Sequence, residues 1–177
     1  TAHRELPGKD PTSSVNPANI AATCSKCHRG IYEMFTKSVH SATVTKTDKP
    51  LPVCNGCHSA HQIQRTDLSN FRLHIMDQCG RCHEKISESY FETFHGKVSK
   101  LGYLTTAKCY DCHGSHDILR VMDPKSRLSR ANIVKTCAKC HTGSHRQFAG
   151  YLTHATHHDP QRYPFLFYTF WAMTTLL

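Results

Sequence analysis

The sequence predicts a mostly α-helical protein with extensive irregular chain, little or no β-structure, and a core that side chains alone do not fill. Apolar residues recur at helical spacing over 31–39 and again over 86–94, and no alternating pattern is long enough for a useful strand. The mean hydropathy of −0.49 leaves little apolar surface for the core of a 177-residue chain. Small chains of this kind usually depend on disulfides, metals or cofactors for stability.

Ten cysteines and fifteen histidines set this composition apart. Cysteines in an exported chain would ordinarily suggest disulfides, but here every cysteine belongs to a Cys-x-x-Cys-His motif and none is left over. Zinc knuckles and thioredoxin-like redox pairs also use Cys-x-x-Cys, but neither requires a histidine directly after each second cysteine. The five motifs are Cys24/Cys27/His28, Cys54/Cys57/His58, Cys79/Cys82/His83, Cys109/Cys112/His113 and Cys137/Cys140/His141.

This motif is typical of covalent haem attachment. Two cysteine sulfurs add to the vinyl groups of a haem, and the short helical turn between them directs the adjacent histidine at the iron. The sequence therefore predicts five haem c groups, held by ten cysteines and five proximal histidines. Such attachment occurs on the outer side of the bacterial membrane, so we expect an exported chain, periplasmic or extracellular, that is numbered from a processed terminus.

The motifs belong to an internal repeat. A shift of 55 residues maps Cys24 onto Cys79 and His40 onto His95, and each copy reads CxxCH-x11-H-x13-CxxCH-x2-H. A third, partial copy begins at Cys137. The pentahaem domain is expected to cover 19–158, as modules 19–73 and 74–131 and a half-module 132–158.

The two ends differ from the repeat. Residues 1–18 are polar and contain several prolines, which predicts an extended arm over the surface. Residues 159–177 end in the uncharged aromatic stretch Tyr163–Leu177, which is shorter than the roughly 20 apolar residues of a spanning helix. This stretch is expected to be the start of a membrane helix, with an interfacial anchor or a buried terminal helix as the alternatives.

The repeat also nominates distal iron ligands at His40, His61, His95 and His116. A histidine three residues after a proximal one lies on the same side of its haem, so it must serve a neighbouring haem that lies close by. We expect the distal histidines of a module to bind irons of the same module. His61 then binds the first haem and His40 the second, and His116 binds the third and His95 the fourth. The alternative gives His40 and His95 to their own haems and sends His61 and His116 to other modules.

The fifth distal ligand is expected near residue 153. His154 lies one position past it and is favoured over His145. His145 follows its motif histidine as the trailing histidine of the module does, but with one extra residue between them. His157 and His158 are expected to bind a partner's haem, to line a quinone pocket, or to be solvated polar residues. His74 is expected to be a cap or loop residue rather than a ligand.

The formal charge of +9 would suggest nucleic acid as a partner if the chain bound nothing else. Ten haem propionates and five ferric irons would bring the oxidised protein to about +4 and the reduced protein to about −1. We therefore expect the basic residues to neutralise propionates, and we expect no nucleic-acid binding.

The repeated CxxCH-x11-H-x13-CxxCH-x2-H module resembles the paired-haem units of periplasmic multihaem cytochromes, including decahaem electron conduits and pentahaem donors to nitrite reductase. This resemblance covers nearly all of Cys24–His141. The stretch Tyr151–Asp159 with the following tail resembles the junction in cytochromes that fuse such a domain to a membrane b-type cytochrome. These resemblances imply a multihaem cytochrome c fold with a haem-packed core, and redox partners such as a b-type cytochrome or quinone-oxidoreductase subunits, with membrane contact through 163–177.

Ten histidines suffice for five bis-histidine haems, which have no open iron position for a substrate. No motif carries the proximal lysine of the pentahaem nitrite reductases. The sequence therefore favours electron transport, as in a respiratory chain, over catalysis by this chain itself. The alternative is a multihaem reductase with one coordinatively open haem.

Overall fold

The computed structural model describes residues 6–150 and 154–177. Within those residues α-helix is the main regular structure and there is no strand, which confirms the mostly α prediction with its extensive irregular chain. The described helices are α1 (Ile20–Ser25), α2 (Arg29–Phe35), α3 (Cys54–His58), α4 (Ser69–Gly80), α5 (Glu84–Glu92), α6 (Phe94–Lys100), α7 (Cys109–His113), α8 (Ile133–Ala138), α9 (Arg146–Ala149) and α10 (Pro164–Thr175).

The cysteine motifs adopt two alternating conformations. In the first, third and fifth motifs a helix runs into the motif, and the histidine amide donates to the carbonyl of the first cysteine, as His28 does to Cys24 at 2.9 Å. The second and fourth motifs are the five-residue helices α3 and α7, each preceded by an extended residue. Each of these is followed by a residue with positive φ, Ser59 at 64° and Gly114 at 86°. The backbone therefore follows the repeat seen in the sequence.

The segment before the first motif is folded rather than extended. Residues 10–19 form consecutive turns, and the Asn19 side chain donates to the carbonyls of Pro11 and Ser13 at 2.7 and 2.9 Å. Asn132 makes the matching bonds to Pro124 and Ser126, both at 2.9 Å, before the fifth motif. The extended arm expected over 1–18 is thus corrected for residues 6–18, because these side chains cap turns; residues 1–5 lie outside the described residues.

Side chains fill little of the interior. Met76 and Tyr90 are the buried hydrophobic residues among those described, and most of the other buried groups are serines. The protein exposes 13411 Å², whereas a self-packed globular chain of this mass would expose about 8,700 Å². Much of the side-chain surface is therefore not covered by other parts of the chain, in agreement with the small apolar core expected from the composition.

The corner between α5 and α6 is the best-packed part of the second module. The Tyr90 hydroxyl donates to the Ala107 carbonyl at 2.8 Å, which ties α5 to the residues just before the fourth motif. Gly96 is buried against this corner, where an added Cβ would overlap the Tyr90 carbonyl oxygen and lie 2.5 Å from the Phe91 Cα. This close backbone approach fixes the position of the neighbouring His95.

Helix α10 begins with Pro164 at its first turn and has no buried residue. Its large side chains are exposed on several faces, with Phe165 at 76% and Met173 at 69% of full exposure. The helix has twelve residues, about 18 Å of length, and no helix among the described residues is long and apolar enough to span a bilayer.

Candidate haem-ligand site

Four of the five motif histidines face a second imidazole. An iron held between two imidazoles places the ring centroids about 6.2 Å apart, from two metal–nitrogen bonds of about 2.0 Å and two ring radii of about 1.1 Å. The observed separations lie at this value, so the paired rings fit a bis-histidine iron. The pairs are His83 with His40 at 6.2 Å, His58 with His116 at 5.9 Å, His141 with His95 at 5.9 Å, and His113 with His154 at 6.3 Å.

The pairs connect different parts of the repeat. His40 belongs to the first module and faces the third motif, whereas His116 belongs to the second module and faces the second motif. The structure thus differs from the expected pairing within each module. It also differs from the part of the alternative that kept His40 with its own haem, but it agrees with the part that sent His116 to another module. A backbone hydrogen bond gives the physical reason, because the Val39 amide donates to the Ile118 carbonyl at 2.8 Å and joins the loops that carry the two histidines.

The second module repeats this exchange with the half-module that follows it. His95 faces His141 of the fifth motif rather than a motif of its own module. His154, expected as the fifth distal ligand, instead faces His113 of the fourth motif. Helix α5 positions this ring, because Ser89 Oγ lies 3.4 Å from the His154 Nδ1. The Nε2 atom on the other side of the ring stays free to bind a metal.

Burial favours the neutral, metal-binding form of these imidazoles. Desolvation is the main cause that lowers the pKa of each of the six histidines with a resolved shift, and a facing imidazole lowers it further for four of them. Ligation by iron requires the same neutral form. The six are His40, His58, His95, His113, His116 and His154.

All ten cysteines carry free thiols, so no disulfide framework is present. Thiols of successive motifs are neighbours. Burial raises the pKa of Cys54, and Cys24 of the first motif raises it further. Burial and the thiols of Cys79 and Cys82 raise the pKa of Cys57, and Cys79 also raises the pKa of Cys109. Burial, Asp111 and the thiols of the fifth motif, Cys137 and Cys140, raise the pKa of Cys112.

The two cysteines of the first motif differ in their surroundings. Cys27, expected to attach the first haem together with Cys24, is exposed, whereas Cys24 is half-buried beside Cys54 of the second motif. The Cys27 amide donates to the Cys24 carbonyl at 3.2 Å, so one helical turn separates the two thiols. The structure thus places Cys24 against the next motif and Cys27 on the solvent side of that turn, and the role of Cys27 in haem attachment stays a prediction.

The first motif also differs from the other four in its histidine, because no second imidazole faces His28 at the shared spacing within the part of the chain that the structure describes. His28 is exposed, as are His83 and His141. His61, expected as a distal ligand, lies exposed in the loop after the second motif. His145 is also exposed, at the start of α9, and faces no motif histidine among the described residues.

Three further histidines were singled out by the sequence. His74 lies inside α4 rather than in a cap or loop, and its Nδ1 is 3.6 Å from an Asp77 oxygen; the expectation failed because α4 continues through it to Cys79. His158 pairs with Glu92 at 3.0 Å, and His157 stacks on Phe170 with centroids 3.8 Å apart.

Comparisons with protein-family models, with curated proteins and with solved structures find no match to this chain. The chemistry of the four imidazole pairs is therefore inferred from their own side chains. Each of four centres offers two opposed imidazoles, and the two thiols of a Cys-x-x-Cys segment precede each motif histidine.

Proposed function

We propose that this protein binds five c-type haems and transfers electrons along them outside the cytoplasm. The observation that carries the proposal is the set of four imidazole pairs separated by 5.9–6.3 Å, the spacing that a bis-histidine iron requires. When bound, each haem would supply a one-electron carrier. The chain would attach it through two thiols and hold its iron between two neutral imidazoles.

The order of the motifs supports a linear path. In each pair of successive motifs, from the first to the fifth, a thiol of one motif raises the pKa of a thiol of the other, which indicates that the motifs follow one another in space. Haems attached to neighbouring thiols would lie close together. The first and fifth motifs would then form the two ends of the path; their histidines, His28 and His141, are exposed, as is His83 of the third motif.

Opposed imidazoles favour electron transfer over catalysis at four centres, because the two imidazoles of each pair would hold the iron of a bound haem and leave it no open position for a substrate. A second candidate function arises at the first motif. His28 has no facing imidazole among the described residues, so a reductase with one open haem would have its site there. His61 and His145 are the histidines from the sequence-derived ligand candidates that could close it.

Helix α10 supports a membrane-linked partner. A helix that is apolar on all sides is stable in a large core or in lipid, not in water, and the side chains of α10 are mostly exposed. We propose that residues 163–177 contact the periplasmic face of the membrane or the apolar helices of a b-type cytochrome or quinone-linked subunit. Transport of electrons between that partner and periplasmic or extracellular proteins is the role that this placement would serve.

Spectroscopy of the purified protein tests the proposal. Mass spectrometry of the denatured chain should show five covalently retained haems, because thioethers survive unfolding. Electron paramagnetic resonance should show low-spin ferric iron at four or five sites. Four low-spin sites and one high-spin site that binds carbon monoxide when reduced would favour the reductase alternative, whereas haem extracted by acidic acetone would refute the proposal.

A further inference from the structure

A second group of ligand-type side chains lies between the cysteine-motif domain and α10. Glu92, His157 and His158 each offer a ligand atom, and these three atoms all lie within 4.8 Å of one another. None of the three faces a motif histidine. The group is therefore separate from the four imidazole pairs, and the ligand that it could bind differs from theirs.

Glu92 is held in place from two sides. It is the last residue of α5; one carboxylate oxygen accepts a hydrogen bond from the Thr156 hydroxyl at 2.6 Å, and the other lies 3.0 Å from His158 Nε2. Ser89, one turn earlier on α5, contacts His154. The strip 154–158 is thus fastened along the end of α5 at both of its termini.

His157 is held from the opposite direction. Its ring stacks on Phe170 of α10, with centroids 3.8 Å apart, and lies 3.9 Å from the ring of His158. One imidazole therefore contacts the apolar helix while the next contacts the cysteine-motif domain. Both reach the same small volume beside the Glu92 carboxylate.

We propose that Glu92, His157 and His158 bind a divalent transition-metal ion of the zinc class. Two imidazoles and one carboxylate are a donor set that zinc accepts, and tetrahedral ligands at about 2.0 Å from the metal stand about 3.3 Å apart. The Glu92–His158 distance of 3.0 Å already meets this value. The remaining separations need to shorten by at most about 1.5 Å, a change within reach of side-chain rotation.

The fourth coordination position would face solvent. A cleft of about 570 Å³ is lined by Glu92 and His158 together with residues of α5 and α6. A water molecule in this cleft would complete the tetrahedron. The ion would join α5 to the segment that leads into α10, so its role would be to fix the apolar helix against the cysteine-motif domain.

Zinc titration of the haem-loaded protein, after treatment with chelator, tests the site. Isothermal titration calorimetry should give one zinc ion per chain in addition to the haem irons. Glu92→Gln keeps the size of the side chain but removes its charge, and it should weaken zinc binding at least tenfold; His157→Asn should do the same. Zinc-edge X-ray absorption should show nitrogen and oxygen neighbours with the signature of two imidazoles.

The matched control is His74→Asn. His74 forms another histidine–carboxylate pair, with Asp77 at 3.6 Å on α4, but it belongs to no three-ligand group among the described residues. This variant should bind zinc as the unmodified protein does. Haem content and low-spin spectra are measured for every variant, so that loss of folding is distinguished from loss of the ion.

A stoichiometry of zero would overturn the proposal, as would unchanged affinity in the Glu92→Gln variant. A loss of zinc affinity in His74→Asn equal to that in Glu92→Gln would also overturn it, because binding would then be adventitious. Since the zinc readout is independent of haem content, a failed zinc site would leave the electron-transfer proposal standing, and the reverse also holds.

Discussion

Double variants of the imidazole pairs decide which histidines share an iron. His40 and His83 face each other at 6.2 Å, so replacing either by alanine should open one iron, and replacing both should still affect only that iron. His40 and His58 belong to different pairs in the structure. The double variant of these two should therefore open two irons.

The magnitude follows from counting. If the protein binds five haems as proposed, the His40→Ala/His83→Ala protein should gain high-spin signal equal to one fifth of the total iron and bind one added equivalent of carbon monoxide when reduced. The His40→Ala/His58→Ala protein should gain two fifths and two equivalents. Such non-additivity within a pair, and additivity between pairs, is the signature of a shared site.

Carbon monoxide titration with electron paramagnetic resonance measures both counts, relative to the unmodified protein. His74→Ala is the control, because His74 lies within α4 beside Asp77 and is not among the expected iron ligands; it should leave the spectra unchanged. The opposite result, one opened iron for His40→Ala/His58→Ala and two for His40→Ala/His83→Ala, would refute the reasoning and restore the pairing within modules.

Three other predictions concern packing, attachment and the C-terminal helix. Gly96→Ala should lower the free energy of unfolding by about 1–3 kcal/mol, because the added Cβ would overlap the Tyr90 carbonyl. Thermal unfolding followed by circular dichroism measures this change. The control is Gly30→Ala, whose Cβ would meet no atom within 4 Å and which should be neutral or slightly stabilising. Replacing Cys79 and Cys82 by alanine should lose the second module rather than one haem, seen as loss of helicity, and a natively helical protein with four haems would contradict this. Removal of residues 163–177 should abolish partition into detergent but retain five haems by mass, and loss of a haem would instead make α10 part of the core.

The motifs could be predicted from the sequence because their chemistry is local. Each Cys-x-x-Cys-His segment occupies a single helical turn, and the amide-to-carbonyl bond from His28 to Cys24 reproduces that turn. The repeat of 55 residues likewise appears in the structure as paired backbone conformations at Ser59 and Gly114. Short-range spacing determines these features, so no knowledge of the tertiary fold was needed.

The pairing of histidines could not be predicted in this way. The hydrogen bond from Val39 to Ile118 joins residues nearly 80 positions apart, and nothing in the local spacing of His40 or His116 indicates it. The turns before the first motif could have been predicted from the sequence, but from residues outside the cysteine motifs. Asp10-Pro11 and Asp123-Pro124 precede their motifs by the same distance, and the asparagines at 19 and 132 cap both sets of turns.

If the imidazole pairs bind iron as proposed, their exchange between modules would explain how a chain with so little buried apolar surface holds one structure. Each imidazole pair joins residues more than 40 positions apart, and the four spans interlock between His40 and His154. A cross-link that closes a loop of this length removes about 4 kcal/mol of unfolded-state entropy in the chain-entropy description used for disulfides. Four interlocked iron bridges would therefore stabilise the fold by far more than Met76 and Tyr90. Pairing within modules would instead have left each module an independent unit, with no bridge to align one set of haems with the next.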